Sequence, residues 1–185
     1  ILQYFGDGTL SIFDSAIDAV QCAIEMQLGF RDQPSIPVRI GIHTGDIILS
    51  EEEIIGDSVN LASRLEGIGK NYGNSITISE FTAKQVEDEF LLRKLDLIRV
   101  KGKEEPVVIY ELLNTKEKAT NEQKEIKQIY EQALENYLAG EFKKSAEMFG
   151  KLQDDPPAQK MLQRTQNLIQ NPPAEWNGVY TFTSK

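Results

Sequence analysis

The sequence predicts an α+β fold with a small C-terminal α-helical appendage, on three observations. Short runs of alternating apolar residues outnumber helical stripes up to about Leu113. The helical stripes fall between those runs, which is the pattern of helices packed on a mostly antiparallel sheet. After Asn114 the strand signal stops and helical periodicity takes over.

The elements follow in order. Ile1 to Phe5 reads as a strand and Thr9 to Phe13 as its return, joined by the tight turn Gly6-Asp7-Gly8, since Asp-Gly accommodates positive φ. Ser15 and Asp18 form a capping-box variant. The helix they open has an apolar stripe of Ala16, Ala19, Val20, Ala23 and Ile24, with Cys22 and Met26 beside it. Pro37 opens the next strand. Val38, Ile40 and Ile42 share one face, and Arg39, Gly41 and His43 the other. Thr44-Gly45-Asp46 is a turn, Ile47-Ile48-Leu49 a short strand and Ser50 to Glu53 an acidic loop. A helix begins at Gly56-Asp57-Ser58 and runs to about Ile68, with Gly69 and Gly73 as breakers. Ile76 and Ile78 alternate in a strand, and Ser79 caps a helix to about Glu87. Phe90 to Val100 and Val107 to Leu113 are two more strands around the turn Lys101-Gly102-Lys103. The chain thus divides into residues 1–113, a polar linker 114–121 and a helical region 122–185, broken at Gly140 and Pro156-Pro157. Pro172-Pro173 ends the helices, and Trp176 to Phe182 forms an aromatic tail.

Composition excludes several functions. A net charge of −9 over 185 residues argues against nucleic acid as a partner and against adsorption to an anionic membrane. One cysteine, Cys22, excludes an internal disulfide and fits a reducing compartment. One histidine, His43, excludes a multi-histidine metal site within one chain. No apolar run is long enough to span a bilayer. The opening Ile1-Leu2-Gln3-Tyr4-Phe5 reads as the inside of a strand, with no initiator Met and no signal peptide. The expectation is a fragment of a longer protein, a cytoplasmic domain whose membrane anchor or sensor lies upstream.

Asn60 and Arg64 stand at i and i+4 near the start of their helix, so both project from one face a turn apart. An amide beside a guanidinium can orient a sugar and hold a phosphate. Taken singly, each candidate has a plainer reading. Asn60 and Arg64 suit the polar face of an amphipathic helix. Asp7 suits a hairpin tip, although on a rigid hairpin it could also bind a hard cation beside substrate phosphates. Lys101 and Lys103 suit a solvated turn, His43 a packed strand residue, and Glu51 to Glu53 a solvated loop.

Their order is more specific. Gly6-Asp7-Gly8-Thr9-Leu10-Ser11-Ile12-Phe13, Ala19-Val20-Gln21-Cys22-Ala23, Arg39-Ile40-Gly41-Ile42-His43-Thr44-Gly45, Gly56-Asp57-Ser58-Val59-Asn60-Leu61-Ala62-Ser63-Arg64-Leu65 and Val100-Lys101-Gly102-Lys103 follow one another in register. Together they resemble the class III adenylyl/guanylyl cyclase catalytic domain over roughly residues 1–113. The resemblance implies a ferredoxin-like cyclase fold. It also implies formation of a 3′,5′-cyclic nucleotide and pyrophosphate from a nucleoside triphosphate, in a site holding two Mg²⁺ or Mn²⁺ ions. Asp7 matches one metal aspartate. The other lies in a motif of the form Phe-x-Asp-Ile-x-x-Phe, which does not occur here, so the fragment alone is expected to be inactive. Asn60 matches the ribose-orienting residue, Arg64 the arginine at the α-phosphate and Lys101 the lysine on the terminal phosphates.

By register the two base-selecting positions are Gln3 and Glu53, which is neither the usual adenine pair nor the usual guanine pair. Gln offers a donor and an acceptor, and ionised Glu only acceptors. ATP is favoured over GTP on the family's bacterial majority. The family works as a head-to-tail homodimer, with Asp7 of one chain facing Asn60 and Arg64 of the other. A non-catalytic dimerisation or regulatory module is the alternative.

Ala133 to Phe149 resembles one tetratricopeptide-type helical hairpin turning at Gly140, with Phe142, Ser145 and Phe149 inward. A single such hairpin cannot bury its face alone, so it is expected to pack on the first domain, on a third helix or on a protein partner. Trp176 is expected to clamp onto these helices. The final Asn171 to Tyr180 stretch is similar to tails of some bacterial cyclases with upstream sensor regions.

Overall fold

The computed structural model describes residues 2–5, 8–31, 35–49, 54–100 and 105–182. In chain order the elements are β1 (Leu2–Phe5), β2 (Gly8–Ser11), α1 (Ala16–Gly29), β3 (Ile40–Ile42), β4 (Ile48–Leu49), β5 (Ile54–Ile55) and α2 (Asp57–Tyr72). There follow β6 (Ile76–Ser79), α3 (Glu80–Val86), β7 (Phe90–Arg99), β8 (Val107–Thr115), α4 (Asn121–Leu138), α5 (Phe142–Phe149), α6 (Pro156–Gln170) and β9 (Tyr180–Thr181). The α+β class read from the sequence is the class observed.

The central sheet has the order β3-β6-β8-β7-β9. It is mixed, where a mostly antiparallel sheet was expected. β3 and β6 are parallel because α2 carries the chain across between them, and β9 returns parallel to β7 from the end of the helical region. β6–β8 and β7–β8 are antiparallel. β1 and β2 form the expected antiparallel ribbon as a separate sheet, but Gly8, expected in the turn, is already paired: Tyr4 lies opposite Thr9 and Phe5 opposite Gly8. Asp7 lies outside the described residues.

Strand alternation assigns the two faces. Ile76, Ile78, Leu92 and Leu112 point to one side, where Val20 and Ala23 of α1 and Ala83 and Val86 of α3 close the core. Leu95, Ile98 and Ile109 point to the other. There they meet Leu61, Leu65, Ile68 and Tyr72 of α2 together with Tyr130, Leu134, Tyr137, Phe149 and Met161 of the C-terminal helices. One core therefore joins the strands to the helical region, although composition changes between them.

The caps act as the sequence implies. Ser15 Oγ accepts from the Asp18 amide, and Ser79 Oγ from the Thr82 amide. Thr120 and Gln123 make a full capping box at α4. Some boundaries differ from expectation: β8 runs on to Thr115, into the expected 114–121 linker, and α2 runs past Ile68. Gly69 does not break α2, which continues to Tyr72 and ends at Gly73 in the left-handed conformation, φ 74°. Gly69 is buried where the helix crosses β6, and a Cβ there would lie 2.8 Å from Thr77 Oγ1. Close packing and not helix termination is what demands glycine at this position.

The helical hairpin expected around Gly140 is present as α4 and α5, with Gly140 at φ 78°. Ser145 Oγ donates to the Ala133 carbonyl at 2.9 Å, and Phe149 meets the Tyr130 ring edge-on. Trp176 clamps the hairpin as expected. Its Nε1–H donates to the carbonyls of Tyr137 (3.0 Å) and Leu138 (3.2 Å), and its ring packs on Tyr137 and Phe142.

Candidate functional site

The position of α2 decides where Asn60 and Arg64 stand. On β3, Ile40 and Ile42 face the α1 side, so Gly41 faces α2. A Cβ at Gly41 would run into the Ala62 carbonyl and the Glu66 amide. The helix backbone therefore lies directly on the strand, at the turn that carries Asn60 and Arg64. Arg39 Nε donates to Glu66 Oε1 at 2.7 Å across the same seam. Asn60 is exposed and Arg64 half-buried. Their spacing leaves the side chains about 5–6 Å apart at Cβ.

Gln3, on β1, reaches the entry to this helix. Its Oε1 accepts from the Ile54 amide at 3.3 Å. The residue before Ile54 is Glu53, the other position expected to read a base. Gln3 thus has its carbonyl oxygen engaged by backbone and its amide NH₂ left as the group to offer. Glu53 itself lies outside the described residues, as do Asp7, Lys101 and the rest of the acidic loop. Among the described residues, no group of three His, Cys, Asp or Glu side chains is arranged to hold a metal ion. These residues alone do not build the expected Mg²⁺ or Mn²⁺ site, and its expected ligand Asp7 is not among them.

His43 behaves as a packed residue. Its Nδ1 is 2.8 Å from Ser79 Oγ, and its ring meets Phe81 edge-on. Ser79 also contacts Thr82, which contacts Thr44, so a small polar cluster fixes the loop that leads from β3 toward α2.

Residues 6–114 match the family described as Adenylate and Guanylate cyclase catalytic domain. The chain belongs to the class III adenylate/guanylate cyclase family. Relatives include an adenylate cyclase of Anabaena cylindrica, 34% identical over 136 residues, covering 60% of this chain and 27% of that protein. The terminal-differentiation-specific adenylate cyclase of Dictyostelium discoideum is 36% identical over 137 residues, covering 60% of this chain and 6% of that one. The chain thus spans about a quarter of the first and a small fraction of the second. Among solved structures it resembles the adenylate/guanylate cyclase/hydrolase of Silicibacter pomeroyi, with a TM-score of 0.52, 34% identity and coverage of 60% of this chain and 70% of that one. The guanylyl cyclase Cya2 gives a TM-score of 0.50 at 28% identity, covering 65% and 73%.

Two features of the cyclase domain escaped the sequence reading. One is the contact at Gly41. The other is a pair of buried polar clusters on β7. Arg93 is 1% exposed and pairs with Glu111 of β8, and its Nη1 donates to Asp155 Oδ1 at 2.8 Å. Asp155 is also the cap of α6. Asp96 is fully buried. Its Oδ2 accepts from the Tyr72 hydroxyl of α2 and from Arg164 Nη1 of α6, each at 2.5 Å. The signal was available, because three charged residues interrupt the otherwise apolar run from Phe90 to Ile98. Buried charges require partners, so such interruptions mark ion pairs.

Proposed function

We propose that this cyclase domain serves the conversion of ATP to 3′,5′-cyclic AMP and pyrophosphate in the intact protein. The observation that carries the reading is α2 itself. It presents Asn60 and Arg64 a turn apart, beside an entry held by Gln3. In this reading the ribose 3′-hydroxyl attacks the α-phosphorus in line and pyrophosphate leaves. Asn60 orients the ribose. Arg64 meets charge that grows at the α-phosphate, an interaction stronger in the transition state than in the ground state. Lys101 holds the terminal phosphates. Mg²⁺ or Mn²⁺, with Asp7 as one ligand, is the implied cofactor and would neutralise phosphate charge.

Base choice rests on Gln3 and Glu53. With its oxygen engaged by the Ile54 amide, Gln3 offers an N–H to the acceptor ring nitrogen of adenine. Glu53 accepts from the adenine amino group. Two adenylate cyclase relatives support ATP. Similarity to a guanylyl cyclase makes GTP the second reading, with Gln3 donating to the guanine carbonyl. The intact protein acts as a head-to-tail homodimer in which Asp7 and Arg64 of one chain serve different sites. Residues 1–185 contain Asp7 but no Phe-x-Asp-Ile-x-x-Phe motif, so this chain alone is inactive. A non-catalytic cyclase-homology module is the alternative, since Gln3 and Glu53 match neither usual base-reading pair.

Assays of the full-length protein with ATP and GTP side by side separate these readings. Expected is turnover of ATP above GTP, with Arg64→Ala lowering kcat about 10²–10³-fold while KM changes little. Mixing full-length Asp7→Ala and Arg64→Ala chains restores activity if sites are shared. Absence of turnover with either nucleotide leaves the non-catalytic module.

A further inference from the structure

α2 is held at its middle and at its C-terminal end, and the second hold comes from the C-terminal helices. Midway along, between Ala62 and Glu66, the helix lies on Gly41 of β3. At its last residue, the Tyr72 hydroxyl donates to Asp96 Oδ2, and Arg164 Nη2 donates to the Tyr72 oxygen at 3.1 Å. Arg164 Nη1 donates to the same carboxylate, while Asp96 Oδ1 accepts from the Leu97 amide. The Arg164 guanidinium also lies over the Tyr180 ring at 3.5 Å, so β9 closes the far side. One residue beyond the helix, Gly73 sits against Pro156, the first residue of α6.

Every member is committed elsewhere in the fold. Asp96 reaches this face through a β-bulge in β7. Lys94 pairs with Tyr110 and Asp96 with Ile109, so Leu95 is the extra residue that turns Asp96 toward α2 and α6. Burial, followed by the adjacent carboxylate, pushes the Tyr72 hydroxyl well above its usual range, so it remains a donor. The cluster is therefore a rigid joint between two helices and a strand.

We propose that Arg164 is a positioning residue for the cyclase reaction, fixing through Asp96 and Tyr72 the helix that carries Asn60 and Arg64. The proposal rests on the reading that those two residues handle the nucleotide. Arg64 and Tyr72 are eight residues apart, about 12 Å along a helix. Loosening the far end lets the helix tilt about its Gly41 contact, and a misplacement of about 1 Å at a reacting group is costly. The helical tail would then be a working part of the catalytic unit.

The test compares Tyr72→Phe, which keeps the ring and deletes one hydroxyl, with Arg164→Lys, which keeps the charge and loses the planar fork. Lys144→Ala, in an exposed pair with Glu141 on α5, is the control. In the full-length protein both test variants are expected to lower kcat about tenfold, with KM for the nucleotide within about twofold. Amide hydrogen exchange over residues 58–66 should quicken while α1 and α3 keep wild-type rates. Unchanged exchange over 58–66 in folded Tyr72→Phe overturns the proposal, whatever kcat does. So does local loosening with kcat unchanged, and so does exchange that quickens equally in α1 and α3, which marks a general loss of stability. If the wild-type protein turns over no nucleotide, the functional reading fails by itself. Exchange confined to α2 then still decides whether Arg164 and Tyr72 hold the helix.

Discussion

At Gly41 strand and helix backbones meet with no room for a side chain between them. Gly41→Ala must push α2 off β3 at the turn holding Asn60 and Arg64. The expected cost is about 1–3 kcal/mol, as for other overpacking substitutions, read as a lower midpoint in urea. Arg93 presents the opposite case, since its removal leaves a void in charge. Arg93→Met strands Glu111 and Asp155, both largely buried, and should cost about 3–5 kcal/mol by the same measurement. A smaller loss would mean that water reaches the two carboxylates. These positions also show how far residues can be read from a sequence. Asn60 and Arg64 were legible because helix period alone sets their common face. Gly41 was seen as a strand residue facing away from Ile40 and Ile42, but its partner across 21 positions of chain was not. Asp96 was the least legible. Strict alternation places it with Leu92 and Lys94, and only the bulge at Leu95 reverses its face.

Among elements, α2 shows why helix ends were harder to place than helix cores. Glycine favours a left-handed terminus and equally favours close helix packing, and sequence alone does not separate the two. Gly69 serves packing against Thr77, and Gly73 serves the terminus. Gly73→Ala therefore forces a side chain into φ 74° and brings its Cβ to 2.9 Å from Pro156 Cβ. The expected loss is about 1–3 kcal/mol, with faster exchange in the last turn of α2, measured by urea unfolding and hydrogen exchange. Retention of wild-type stability would show that the α2–α6 seam can open without cost. Strand pairing was legible wherever a tight turn set it, as in β1–β2. The parallel ladder of β3 with β6 depends on a crossover helix, and β9 on the return of a distant tail. Neither leaves a local signature in alternation.

The whole molecule turns on how the region after Asn114 relates to the cyclase domain. Composition separates them, yet Tyr72, Leu95, Ile98 and Ile109 share one core with Tyr130, Tyr137, Phe149 and Met161. A tail offering an apolar groove to a protein partner would expose large side chains, whereas among the described residues of α4–α6 the exposed large apolar one is Ile169. The burial favours an integral role. A chain of 185 residues is within the size that one core can organise, so the regions should unfold together. The sole tryptophan, Trp176, reports on the tail, while far-UV circular dichroism reports on all helices. Expected are coincident midpoints by both probes and a calorimetric enthalpy equal to the van't Hoff value. An earlier Trp176 transition would mark the tail as a separate folding unit. A chain ending at Thr115 would uncover the α2 side of the sheet and leave Asp96 without Arg164 and Arg93 without Asp155. Buried charges without partners and an open apolar face both oppose folding, so that truncation should be insoluble or unfolded. Soluble, cooperatively melting material from it would show that the cyclase strands and α2 hold themselves, and would remove the physical basis for any influence of the tail on the site.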